Sequence, residues 1–247
     1  MSDDLLRVKN LTTGYGDLRV VWDVSFTVRP GTVHALLGRN GAGKTTTLRA
    51  IAGLNPAISG TIEFQGEDLN GVAAFKRARR GIGYVQEGKR IFGDMTVEEN
   101  LLAGSLSVKL SRGELKSRLD EAYDLFPALG ERRKRLANLL SGGQQQMLAI
   151  AQAVVPQPKL LLVDEPSAGL APAIVGNVLE NLSTLRDRGY TIILVEQSVD
   201  FALAISDDLV VLDLGRVVHS GSASSSGAHT AIRNAYLGRL EPVVPAE

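Results

Sequence analysis

The loop Gly38-Arg39-Asn40-Gly41-Ala42-Gly43-Lys44-Thr45 sets three glycines beside a lysine and a hydroxyl, a combination suited to holding phosphate. Glycines let successive backbone N–H groups curl towards one anion, and a helix starting at the end of the loop adds the partial positive charge of its N-terminus. Lys44 can then reach β- and γ-phosphates as a point charge, and Thr45 can offer its hydroxyl to Mg²⁺. Thr46, the next helical residue, is counted with this phosphate-binding set. A second element, Leu160-Leu161-Leu162-Val163-Asp164-Glu165, is an apolar run ending in two carboxylates, as expected at the ligand-binding edge of a parallel sheet. Asp164 is expected to hold Mg²⁺ through water, and Glu165 to orient and deprotonate the water that attacks the γ-phosphate. The third element is Ser141-Gly142-Gly143-Gln144. Ser141 reads as a helix N-cap, yet each glycine in the first turn costs about 1 kcal/mol of helix stability. Close approach of an anion to that helix end would offset the cost. The Lys44 loop already supplies one phosphate site in the chain, so this second site is expected to serve a neighbouring subunit.

The elements that must position these residues follow from hydrophobic periodicity. Short β-branched runs alternate with helical patterns, which predicts a mainly parallel sheet with crossover helices. Strands are expected at Leu5–Lys9, Val20–Val28, Thr32–Leu37, Gly60–Phe64, Ile82–Val85, Leu160–Val163, Thr191–Val195, Asp208–Leu212 and Arg216–Ser220. Between Thr96 and Leu140 the apolar residues Leu101, Leu102, Leu106, Leu115, Leu119, Ala122 and Leu125 recur at helical spacing. The expected organisation is one domain over 1–247, with a core of 1–86 and 141–219 and a helical subdomain of about 87–140. A serine-rich flexible tether at 220–228 and a C-terminal helix at 229–240 complete it.

Composition narrows the setting. At 247 residues and 44% hydrophobic content the chain can bury a sizeable core. Lys+Arg and Asp+Glu both total 27, so no net charge draws it to nucleic acid or an anionic membrane. The basic runs Lys76-Arg77-Ala78-Arg79-Arg80 and Arg132-Arg133-Lys134-Arg135 accordingly read as solvated helix faces. The absence of cysteine suits a reducing compartment. The acidic start, Met1-Ser2-Asp3-Asp4, lacks the features of a signal peptide, and no run reaches the roughly 20 apolar residues of a membrane span.

With the three site elements in this order, the chain resembles ATP-binding cassettes. The stretches Gly81-Ile82-Gly83-Tyr84-Val85-Gln86-Glu87-Gly88-Lys89-Arg90-Ile91-Phe92, Met95-Thr96-Val97-Glu98-Glu99-Asn100-Leu101, Asp164-Glu165-Pro166-Ser167-Ala168-Gly169-Leu170-Ala171-Pro172 and Val195-Glu196-Gln197 extend the likeness. They are similar to the LivF-type ATPases of branched-chain amino acid importers. The resemblance runs from Leu11 to about Gly238. It implies an α/β P-loop cassette with a mainly parallel core sheet, an antiparallel β portion and a helical subdomain. It also implies ATP and Mg²⁺ as cofactors. Two such subunits pack head to tail in the family, and the Ser141–Gln144 element of each closes on ATP held by the other.

The same resemblance gives Tyr15 the role of the aromatic platform under adenine. It offers Glu87, or Gln86 one residue earlier, for the loop that senses Mg²⁺, with Glu87 favoured. It places Gln197 where most cassettes carry a histidine that contacts the γ-phosphate, and Ala171 where many carry an inter-subunit aspartate. A neutral amide can position a phosphate but cannot titrate near neutral pH. The implied partners are a second ABC ATPase subunit, related or identical, two integral membrane permease subunits and, indirectly, an external solute-binding protein. The implied place is the cytoplasmic face of the inner membrane, as a peripheral subunit. Ile91, Phe92 and Met95, rimmed by Lys89, Arg90 and Asp94, are the expected docking patch for a membrane subunit. A urea or short-amide importer is the alternative, followed by a cassette acting in DNA repair or translation.

Overall fold

The computed structural model describes residues 4–237. Residues 1–3 and 238–247, including 238–240 of the expected C-terminal helix, lie outside the described residues. The chain opens with strands β1 (Leu6–Tyr15), β2 (Leu18–Val28) and β3 (Val33–Leu37), then helix α1 (Lys44–Ala52). Strands β4 (Ala57–Phe64) and β5 (Glu67–Asp68), helix α2 (Ala74–Arg79) and strand β6 (Ile82–Val85) follow. A helical stretch contains α3 (Val97–Ser105), α4 (Arg112–Leu125), α5 (Pro127–Gly130) and α6 (Gly142–Val154). The last third alternates β7 (Leu160–Asp164), α7 (Pro172–Asp187), β8 (Thr191–Glu196) and α8 (Val199–Ile205), then β9 (Asp208–Asp213), β10 (Arg216–Ser222) and α9 (Ser226–Leu237).

Two sheets organise these elements among the described residues. One is antiparallel, in the order β2-β1-β4-β5. The other runs β10-β9-β3-β8-β7-β6, parallel from β9 to β6 with β10 antiparallel at its edge. Every residue of β3, β7 and β8 is buried, because both faces of a parallel sheet are covered. This is the expected α/β cassette with its mainly parallel core sheet. In the helical stretch, α3 and α4 each begin with a full capping box, Thr96 with Glu99 and Ser111 with Glu114.

Several local expectations are corrected. The serine-rich segment is not a flexible tether. β10 continues to Ser222, the Ala223 N–H donates to the Asp207 carbonyl at 3.0 Å, and α9 starts at Ser226. Ala223 and Ala228 are buried against the β3 and β9 layer, so small apolar residues between the serines anchor the segment. The basic run on α2 is not wholly solvated either. Arg77 is 4% exposed, and its guanidinium donates to the carbonyls of Ala50, Ile51, Leu69 and Val72. It thereby satisfies the C-terminal carbonyls of α1, a task a cation performs well at that end of a helix. The run Arg132–Arg135 sits in turns rather than on a helix, with the Arg133 guanidinium 3.9 Å from the Tyr123 ring centroid.

His34 on β3 is buried and stacks on Phe26 at 5.4 Å, and neither ring nitrogen has a hydrogen-bond partner. Burial holds its pKa down at about 4 from an ordinary 6.5, with Asp208 and Arg29 making smaller, opposing contributions. The unfolded chain therefore takes up this proton first as pH falls. Stability is full above the ordinary pKa, is lost as pH drops through the window, and the loss is complete below the folded value. His34→Phe is expected to remove about 3 kcal/mol of the acid-induced stability loss between roughly pH 6.5 and 4, measured by denaturant unfolding across that range.

Candidate active site

The phosphate loop bridges β3 and α1. Gly43 adopts φ 97°, a left-handed conformation that favours glycine, and immediately precedes Lys44 at the start of α1. A Cβ at Gly43 would lie 2.9 Å from Val21 Cγ2, so the loop is also packed tightly against β2. Lys44 is 4% exposed, and its Nζ donates to the carbonyls of Gly38 at 2.9 Å and Arg39 at 3.3 Å. Glu165 Oε1 lies 3.4 Å from the same ammonium.

β7 sits two positions from β3 in the sheet, with β8 between them, and delivers Asp164 to the same edge. Asp164 Oδ1 accepts from the Thr45 hydroxyl at 2.9 Å, and Oδ2 accepts from the Tyr84 hydroxyl at 3.0 Å. Burial pushes the Asp164 carboxyl up, while the two hydroxyl donors oppose that shift. Tyr84, on β6, has its phenol pushed up by burial and by Asp164, so it remains a donor. Glu165 adopts φ 45°, unusual for a residue with a side chain, and its N–H donates to the Val195 carbonyl at 2.9 Å. The strained turn at the end of β7 sends the Glu165 side chain to Lys44.

Residues Asn40 to Thr46 line a cavity of about 270 Å³ together with Glu87 and Glu165. The donor chemistry fits a nucleotide with Mg²⁺. The loop backbone and a lysine line the cavity, while a hydroxyl and a carboxylate oxygen 2.9 Å apart present hard oxygen ligands. Two protein ligands suffice when phosphates and water complete the shell.

The structure separates the two residues offered for the metal-sensing loop. Glu87 lines the phosphate cavity, whereas Gln86 lines a different groove beside β6 and α2. Tyr15 is 46% exposed and lies within 3.4 Å of the Thr46 hydroxyl, with the Arg49 guanidinium 5.8 Å from its ring centroid. Gln197 is exposed just before α8 and does not line the cavity. Ser141, Gly142, Gly143 and Gln144 are likewise absent from its wall.

Ser141 does cap α6. Its Oγ accepts from the Gln144 N–H at 3.4 Å, and the Gln144 side chain accepts from the Ser141 N–H at 3.1 Å. The two glycines of this helix start differ in their surroundings. A Cβ at Gly143 would lie 2.3 Å from Ile174 Cγ2, so Gly143 lets α6 meet α7. A Cβ at Gly142 would meet only the flexible end of Lys89, at 3.1 Å, which leaves this glycine open to an approaching group.

Sequence reasoning missed Tyr84 and Glu196. The Glu196 carboxylate, buried at the end of β8, accepts from the Ser167 hydroxyl and N–H at 2.9 and 3.0 Å. It also accepts from the N–H groups of Gln197 and Ser198, joining the segment after Glu165 to the one after β8. An acidic residue ending the apolar run 192–195 was the available signal.

The chain aligns with known proteins over almost its full length. Residues 21–168 match a family described as ABC transporter. The chain is 41% identical to the high-affinity branched-chain amino acid transport ATP-binding protein BraG of Pseudomonas aeruginosa, covering 95% of this chain and 100% of that protein. It is 37% identical to a probable branched-chain amino acid transport ATP-binding protein LivF of Archaeoglobus fulgidus, with 96% and 100% covered. It is 34% identical to the lipopolysaccharide export system ATP-binding protein LptB of Escherichia coli, with 94% and 97% covered. Among solved structures, a nucleotide-free ATP-binding cassette from an ABC transporter superposes with TM-score 0.82 at 26% identity, covering 96% of each chain. An ATP binding subunit of an ABC transporter gives TM-score 0.79 at 32% identity, with 94% and 95% covered.

Gly143→Ala is expected to lower stability by about 1–3 kcal/mol through overpacking against Ile174, and Ile174→Ala in the same chain should recover most of the loss. Gly142→Ala should leave the melting temperature nearly unchanged. Thermal unfolding of the four proteins checks the contrast.

Proposed function

The chain belongs to the ABC transporter family, and on that premise we propose that it is the ATP-hydrolysing subunit of an importer for branched-chain or other hydrophobic amino acids. The observation that carries the catalytic reading is the convergence of Lys44 and Thr45 at the start of α1 with Asp164 and Glu165 at the end of β7. The greater identity to BraG and LivF than to LptB favours amino-acid import over lipid export.

Bound Mg-ATP supplies the transferable phosphoryl group and, through the metal, neutralisation of its charge. Lys44 exchanges the carbonyls of Gly38 and Arg39 for phosphate oxygens, the stronger partners for an ammonium. The Thr45 hydroxyl and the Asp164 carboxylate would hold the metal, and Glu87, which lines the same cavity, would contribute through water. Glu165 takes the proton from the attacking water on its carboxylate. The Gln197 amide orients the γ-phosphate by a hydrogen bond, and the Tyr15 ring stacks beneath adenine. Ser141, Gly142 and the N-terminus of α6 bind the ATP of a second ATPase subunit, a role consistent with their exposure beyond this chain's own cavity.

Among the described residues no helix is long and apolar enough to cross a membrane. In this reading, coupling to transport runs through separate permease subunits. Residues 86–95 connect the two surfaces. Glu87 faces the phosphate cavity, while Gln86 and Arg90 line a groove of about 230 Å³ beside α2 and α6. Phe92 is 52% exposed and Met95 is 40% exposed, although Ile91, expected in the same patch, packs against the core instead. Asn100 holds this loop, accepting from the Phe92 N–H and donating to its carbonyl. In this reading a permease helix docks here and the chain is peripheral, at the cytoplasmic face of the membrane.

Glu165→Gln is expected to keep ATP binding while lowering hydrolysis by at least about 100-fold, whereas Lys44→Ala should weaken binding itself. Nucleotide binding and phosphate release measured on both variants test the assignment, and near-normal turnover by Glu165→Gln would refute it. Phe92→Ala should retain ATP binding and melting temperature yet lose co-purification with the permease subunits. A large fall in melting temperature with assembly intact would instead place Phe92 in the subdomain core.

A further inference from the structure

We propose that Tyr236 of α9 is a positioning residue for ATP hydrolysis, its hydroxyl tying the first glycine of the phosphate loop to the backbone of Gln197. The inference rests on the ATPase reading above. The Gly38 N–H donates to the Tyr236 hydroxyl at 3.1 Å, and that hydroxyl donates to the Gln197 carbonyl at 3.1 Å.

The location gives the contact its meaning. β3 and β8 are neighbouring parallel strands whose last paired residues are Leu37 and Glu196. The next residue on each strand is Gly38 and Gln197, where the chains turn away and the sheet ladder no longer sets their separation. Tyr236 supplies one further rung there, with a phenol hydroxyl standing between an N–H and a carbonyl. Both bridged residues are held on their other side as well. The Gly38 carbonyl accepts from Lys44 Nζ at 2.9 Å, and the Gln197 N–H donates to Glu196 at 3.2 Å. Tyr236 therefore joins the lysine-centred half of the site to the half organised by Glu196.

α9 is built to deliver this hydroxyl. Ala228, Ile232 and Ala235 bury one face of the helix in the same apolar cluster as Ala35, Leu37 and Val211, and Tyr236 packs at its edge. Burial pushes the phenol up from its ordinary value, which keeps it protonated and able to donate.

Without the hydroxyl, the phosphate loop keeps Lys44 and its own backbone donors, so binding of ATP changes little. The Gln197 segment loses its spacing from that loop, so an amide that must meet the phosphate in the transition state is less well placed. The expected signature is a loss in kcat rather than in KM.

The test is Tyr236→Phe in the full chain, which keeps the ring and removes only the hydroxyl. ATP hydrolysis is measured beside wild type and Lys44→Ala, with melting temperature as a check on folding. The expected result is a fall in kcat of about 5- to 10-fold with KM for ATP within about twofold. Wild-type kcat and KM for Tyr236→Phe, with binding lost in Lys44→Ala, would overturn the proposal alone. Retained ATP binding by Lys44→Ala would instead bring down the ATPase reading on which it rests. Amide exchange at Gly38 gives a second readout that does not depend on catalysis or on a folded variant. Protection of this N–H in the wild-type chain supports the rung, and exchange at the rate of a free loop overturns it.

Discussion

A lysine ammonium held almost out of solvent must be surrounded by acceptors, and the arrangement of partners around Lys44 organises this molecule. A cation in a poorly solvated place costs several kcal/mol unless carbonyls or carboxylates replace its water. Here the acceptors come from Gly38 and Arg39 on the same loop and from Glu165 across the sheet. That requirement brings the end of β7 to the end of β3 with β8 between them. It also makes the loop receptive, because a phosphate offers the ammonium more negative charge than the carbonyls do.

The carboxylates of the site are held in different ways, and their chemistry differs accordingly. Asp164 is buried and receives a hydroxyl on each oxygen, from Thr45 and Tyr84, so its geometry is set within the chain itself. Glu165 is less buried and projects from a left-handed backbone turn towards Lys44. Glu196 touches none of the phosphate cavity, yet four donors from Ser167, Gln197 and Ser198 fix it in place. One carboxylate suits a metal, one suits proton transfer, and one ties together the segments carrying the other groups.

The site is also connected outward on two sides. Residues 86–95 pass from the phosphate cavity to an apolar exposed patch, and α9 reaches back to Gly38 and Gln197 through one phenol. A packed element with two preferred positions could bias the site through either connection, since short hydrogen-bonded contacts do not stretch continuously.

Much of this was determined by residue order alone. The glycine spacing before Lys44, the apolar run into Asp164 and Glu165, and the capping pattern at Ser141 each arise from neighbours along the chain, and local backbone physics makes them readable. The sheet class and the helical stretch were legible for the same reason, since periodicity is a local property. What escaped depended on residues far apart in sequence. Arg77 read as solvated because its carbonyl partners lie on α1 and in the loop before α2, and the serine-rich segment read as loose because its alanines find their cover on β3 and β9. That Gly143 also makes room for Ile174, while Gly142 is open, depends on α7 packing against α6. That Glu87 lines the phosphate cavity while Gln86 lines a neighbouring groove is likewise a matter of the folded turn. Tyr84, Glu196 and Tyr236 carry no motif, and only the folding of β6, β8 and α9 to one sheet edge brings their oxygens within hydrogen-bonding distance of the site.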